Sequence, residues 1–125
     1  MKKLLLLLLL VTSLPIMSQT YNVNATYLMM SDGVNERERD VDIDIVLDLT
    51  NSRVTIYSND TQIIDYKLTK YYNYNNYTIF EATATDTTYR RIGLKMSFSK
   101  IANSVIITIN YSDLAYSYIC KIMSS

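Results

Sequence analysis

The chain has no histidine and no tryptophan, a single cysteine, a single proline and two glycines among its 125 residues. Without histidine, Ser-His-Asp and Cys-His catalysis, imidazole general bases and every His-containing zinc site are excluded. One cysteine, Cys120, permits neither a thiolate metal cluster nor an intramolecular disulfide. Charge of one sign is lacking too, with 12 Lys and Arg against 12 Asp and Glu. Phosphate-backbone recognition needs clustered excess cations, so no nucleic-acid partner is expected. No cofactor-binding motif remains, and no cofactor is expected.

The long hydrophobic run that is present lies at the start. Met1-Lys2-Lys3 is followed by an apolar segment from Leu4 to Leu14, then Pro15 and a small residue at Ser18. A short basic region, an apolar core and a small-residue cleavage point define a secretory signal peptide over 1–18. As a helix, this apolar core would span roughly 16 Å, about half of a ~30 Å hydrocarbon layer, so no stable membrane span is expected after cleavage. Cleavage near Ser18 predicts an exported chain, periplasmic or secreted, with one domain over 19–125. Removal of Lys2 and Lys3 leaves 10 cations against 12 acids, a net charge of −2.

From Gln19 onward, Ile, Val, Thr, Tyr and Phe supply 45 of 107 residues, which tilts the domain strongly toward sheet. Val41, Ile43, Ile45, Leu47 and Leu49 alternate with Asp42, Asp44, Val46 and Asp48, the two-residue period of a strand with one apolar face. The same alternation runs through Ile92–Phe98, Val105–Tyr111 and Tyr116–Ile122. Turn-forming clusters at Thr50-Asn51-Ser52, Ser58-Asn59-Asp60-Thr61, Asp86-Thr87-Thr88, Ala102-Asn103-Ser104 and Ser112-Asp113 separate the runs. With Tyr21–Met29, Val54–Tyr57, Gln62–Leu68 and Thr78–Thr85, these define about eight strands joined by short loops. The prediction is an all-β domain, an antiparallel meander forming a small barrel or a barrel-like sandwich, preceded by the helical signal peptide. A membrane barrel would need its outer face apolar, whereas one face of these strands carries Asp42, Asp44, Asp48, Asp65, Lys67 and Lys95.

The segment Val41 to Ser58, with Asp48-Leu49-Thr50-Asn51-Ser52-Arg53-Val54-Thr55-Ile56-Tyr57-Ser58 as its hairpin, resembles small uncharacterised exported β-proteins of Bacteroidota and their phages. The ending Ile109-Asn110-Tyr111-Ser112-Asp113 followed by Tyr118 is similar to theirs as well. The resemblance implies an exported β-domain and transfers no functional residue. A lipocalin-like barrel is an architectural analogy, since the lipocalin Gly-x-Trp signature is missing.

Five tyrosines and three asparagines fall between Tyr66 and Tyr77. Tyrosine offers a large contact area with few rotors, and asparagine offers adaptable hydrogen bonds. Tyr71, Tyr72, Tyr74, Asn75 and Tyr77 are therefore the expected ligand- or partner-binding residues, at a hairpin tip, for a protein or a glycan. The bland alternative makes these tyrosines a cover over the barrel end. A lipocalin-like carrier holding a small apolar ligand in the lumen is the second expected function, and a small hydrolase the third. Glu81 and Asp86 are the one carboxylate pair to examine for hydrolysis, and catalysis is not expected. Asp40, Asp42 and Asp44 could at most share a calcium ion between adjacent pairs, and a solvated acidic face is the expected reading. Glu36, Arg37, Glu38 and Arg39 read as a solvated loop or short helical turn. Cys120 shares a face with Tyr116, Tyr118 and Ile122, so it is expected to be a small buried hydrophobe.

Overall fold

Alternating side chains can bury one sheet face completely only if the sheet closes on itself or stacks on another, and here it closes. The structure, a computed structural model, describes residues 20–124. The signal peptide expected over 1–18 lies outside them. The strands are β1 (Thr20–Ser31), β2 (Glu36–Asp48), β3 (Arg53–Tyr57), β4 (Gln62–Tyr74), β5 (Tyr77–Thr85), β6 (Arg91–Ser99), β7 (Ser104–Asn110) and β8 (Ala115–Ser124). All neighbours are antiparallel, in sequence order, and β8 pairs back onto β1 to complete a barrel. The choice between sandwich and barrel is thereby resolved: the sheet has no terminal edge. The described residues contain no helix.

The apolar face of every run points inward. Ile45, Leu47, Val54, Ile56, Ile64, Met96, Val105 and Ile107 form the middle layer and are at most 1% exposed. Asp42, Asp44, Lys67, Lys95 and Lys121 are exposed on the outer wall. This sidedness is the reverse of what a transmembrane barrel requires. The end carrying Thr20 and Ser124 is stoppered by four rings in contact: Tyr21 on Phe98 (centroids 5.4 Å apart), Phe98 on Phe80 (5.6 Å) and Phe80 on Tyr71 (5.0 Å). Tilted and edge-on ring pairs of this kind add about 0.5–1.5 kcal/mol each beyond their buried area.

Two register shifts change which residues face inward. The first lies between Ala25 and Tyr27 on β1, against both β2 and β8. Beyond it Leu28 and Met30, rather than Tyr27 and Met29, turn toward the lumen. The second lies between Leu68 and Lys70 on β4, where the Thr69 hydroxyl donates to the Glu81 carbonyl at 3.0 Å. It sends Tyr71 inward and Tyr72 outward. Two expectations are corrected here. Glu36–Asp40 is strand, paired residue by residue with Tyr27–Ser31, not a loop or helical turn. The stretch Lys70–Tyr74 is likewise strand, and only Asn75 and Asn76 form the hairpin tip.

Candidate functional site

Strand lengths create the site. β2 extends back to Glu36, but its pairing with β3 ends at Asp44 opposite Tyr57. The barrel wall is therefore taller on the β1–β2 side, and the lumen opens at the end opposite the aromatic stopper. A cavity of about 370 Å³ lies in this mouth. Its floor is Leu28, Ile43, Ile109 and Tyr118, and its upper wall carries Met30, Arg39, Gln62, Arg90, Tyr111 and Tyr116. A side cleft of about 410 Å³ between β2 and the β3–β4 turn shares Arg39, Ile43 and Ser58 with it. Arg39 thus stands at the junction of the two spaces. The mouth volume falls at the lower end of the ~300–1,000 Å³ typical of small-molecule sites.

The polar groups of the mouth are organised by Asp86 in the β5–β6 turn. Its side chain accepts from the Thr88 N–H (3.0 Å), the Thr88 hydroxyl (2.8 Å), the Arg90 N–H (2.9 Å) and Arg90 Nε (3.2 Å). Burial pushes the Asp86 carboxyl up, but the donors on Arg90 and Thr88 together outweigh it and hold the pKa below the ordinary carboxylate value. This turn also places Tyr89 at φ 63°, a left-handed conformation unusual for a bulky residue, with its side chain in solvent. The Arg90 guanidinium lies 4.2 Å over the Tyr111 ring, and Tyr111 packs edge-on to Tyr116 at 5.9 Å. Burial raises the pKa of both Tyr111 and Tyr118. Arg39 opposes the rise at Tyr118, so its positive charge is felt inside the mouth. These phenols stay protonated at neutral pH and can donate hydrogen bonds inward. Together they make an apolar floor beneath a ring of cationic and phenolic donors, with Asp113 the acidic group on the rim.

The residues expected from the sequence lie at the opposite end. Tyr71 is half-buried in the aromatic stopper, so that part of the cluster closes the barrel end. The Tyr72 hydroxyl donates to Glu81, and Lys70 Nζ sits 4.9 Å from the Tyr72 ring centre. Tyr74, Asn75 and Tyr77 are exposed, with Asn75 in the left-handed conformation the tip requires. Beside them the β6–β7 turn presents Ile101, exposed, and the Lys100 N–H donates to the Asn76 carbonyl at 2.7 Å.

Asn24 Nδ2 donates to both Asp42 (2.7 Å) and Asp44 (3.0 Å), which draws these two carboxylates together without Asp40. Among the described residues no three carboxylate or thiol groups converge as a metal site would require. Glu81 and Asp86 are roughly 16 Å of extended chain apart, Glu81 on the outer wall and Asp86 in the turn, so they share no reaction centre. Burial pushes the Cys120 thiol up to about 12, as befits a core side chain. A larger depression, about 620 Å³, runs over the outer wall between Lys67, Thr83, Arg91 and Asn110, where Gly93 lacks a side chain. It is shallower and more open to solvent than the mouth.

Sequence reasoning missed Arg39, Gln62, Arg90 and the Tyr111–Tyr116 pair as site residues. One signal was present. Counting back from Ile45 and Ile43 in steps of two puts Arg39 on the lumen face, in phase with Val41. No family model, curated protein or solved structure matches the chain.

Proposed function

We propose that this domain is an exported, non-enzymatic binding protein that holds a small, largely apolar ligand in the open mouth of its barrel. The observation that carries this reading is the mouth cavity itself. There the inward apolar faces leave space, and polar donors ring the entrance. Deeper in the lumen, Ile45, Leu47, Val54, Ile56, Ile64, Met96, Val105 and Ile107 are at most 1% exposed, as a side-chain-filled eight-stranded barrel allows, so the ligand is limited to the mouth.

Titration with a neutral fluorescent probe, N-phenylnaphthylamine, tests the reading. Saturable binding to the purified domain is expected, lost when Ile43→Trp fills the floor while the circular dichroism spectrum stays native. Absence of saturable binding by the folded wild-type domain would overturn it.

A second reading has its own observation. Tyr74, the last residue of β4, and Ile101, in the β6–β7 turn, are 62% and 78% exposed, their segments joined through Lys100 and Asn76, with Tyr77 beside them. Exposed aromatic and aliphatic side chains together favour a protein or glycan partner at the closed end. Under that reading, Tyr74→Ser with Tyr77→Ser abolishes partner capture without unfolding. Retained capture by the folded double variant would sink it.

A further inference from the structure

We infer that the mouth selects ligands with an anionic head group, bound by Arg39. The inference rests on the proposed ligand site and adds the chemical class of what occupies it. Arg39 is in phase with Val41 and Ile43 on the lumen side of β2, and its register partner on β1 is Leu28. Leu28 is 3% exposed and part of the cavity floor, so Arg39 leaves β2 on the lumen side, an exposed side chain lining both the mouth and the side cleft.

Its charge is uncommitted. The ion pairs among the described residues are Arg53–Asp65 on the outer wall and Arg90–Asp86 in the β5–β6 turn, and Arg39 belongs to neither. Of the acids nearest in sequence, Glu38 accepts from the Tyr27 hydroxyl outside the barrel, and Asp40 lines the side cleft with Arg39 without forming an ion pair with it. Asp86 is matched by Arg90, which leaves Asp113 as the one acid among the described residues that line the mouth.

The remaining polar neighbours reinforce the same selectivity. Tyr111, Tyr116 and Tyr118 are phenols able to donate, and the Arg90 side chain, held by Asp86 through Nε, keeps its guanidinium over the Tyr111 ring at the mouth. An anion over an apolar floor can therefore take a forked pair of hydrogen bonds from Arg39 while its hydrocarbon body fills the space above Leu28, Ile43 and Ile109. A cationic head group would meet Arg39 and Arg90, and a neutral one would leave the Arg39 donors to water. The ligand class is an anionic amphiphile, an alkyl carboxylate or its sulfate analogue.

Competition against N-phenylnaphthylamine with decanoate, decanol and decyltrimethylammonium tests this on the whole domain. Decanoate is expected to bind about tenfold or more tighter than decanol, with the ammonium weakest, because charge-assisted hydrogen bonds distinguish them. Arg39→Met should remove the decanoate advantage and leave decanol within about twofold of wild type, while Arg39→Lys restores part of it. Equal affinities for decanoate and decanol in the wild type, or equal losses of both in Arg39→Met, would overturn the anionic selectivity and leave the cavity reading intact. Failure of every probe to bind would overturn the cavity reading and the head-group assignment with it.

Discussion

Cys120 and Asp86 show how burial gives opposite results for two ionisable side chains. The Cys120 thiol is 2% exposed among hydrophobic neighbours, with only the Tyr118 carbonyl near its sulfur at 3.5 Å. Nothing there stabilises a thiolate, so its pKa rises to about 12. Alkylation by iodoacetamide at neutral pH should therefore be slow in the native domain and become fast only in unfolding concentrations of urea. Rapid native-state labelling would contradict the core placement. Asp86 is less enclosed, 8% exposed, and is surrounded by donors, and its folded pKa lies below its unfolded value near 3.9. A depressed carboxyl contributes stability that is present above the unfolded pKa and lost as pH falls through the folded one. Asp86→Asn should therefore lower the urea midpoint at pH 7, and the gap from wild type should close as pH drops below about 4. A gap independent of pH would mean that the turn is held by shape alone.

At the level of strands, alternation was legible wherever it ran unbroken. Val41–Leu49, Ile92–Phe98 and Val105–Ile109 could be assigned an inside and an outside from residue types alone, because hydrophobic side chains recur at every second position. Two features defeat that reasoning. A bulge adds one residue without changing composition, so nothing around Thr26 or Thr69 announces that the inward face changes parity there. And where both faces are charged or polar, as in Glu36–Arg39, a two-residue period leaves no hydrophobic trace. The Tyr71–Tyr77 stretch illustrates the first. Read as one tyrosine-rich loop, it is divided by the Thr69 bulge into a stopper residue, a wall residue and an exposed tip. Tyr71→Ser is expected to cost about 1–3 kcal/mol in urea unfolding, because a half-buried ring against Phe80 is lost. Tyr74→Ser should stay within about 0.5 kcal/mol of wild type, since that ring is 62% exposed. Equal costs at the two positions would refute the division.

The whole molecule is a barrel with unlike ends. One end is stoppered by Tyr21, Phe98, Phe80 and Tyr71, and the other is left open because β2 outruns β3. Closure and strand number could be anticipated, since eight short-looped strands with one apolar face have few ways to bury it. The open end could not, because it depends on a difference in length between two neighbouring strands and on three-dimensional convergence of Arg39, Arg90 and Tyr111. Composition pointed to the tyrosine-rich tip, whereas geometry favours the mouth at the other end.

A methyl-resolved NMR titration of the labelled domain with N-phenylnaphthylamine separates these two ends in a single experiment. Saturable shifts are expected at the methyls of Leu28, Ile43 and Ile109, with Val54, Ile64 and Val105 in the filled interior nearly still. Shifts confined to Ile101 beside Tyr74 and Tyr77, or none that saturate, would contradict a ligand site in the mouth.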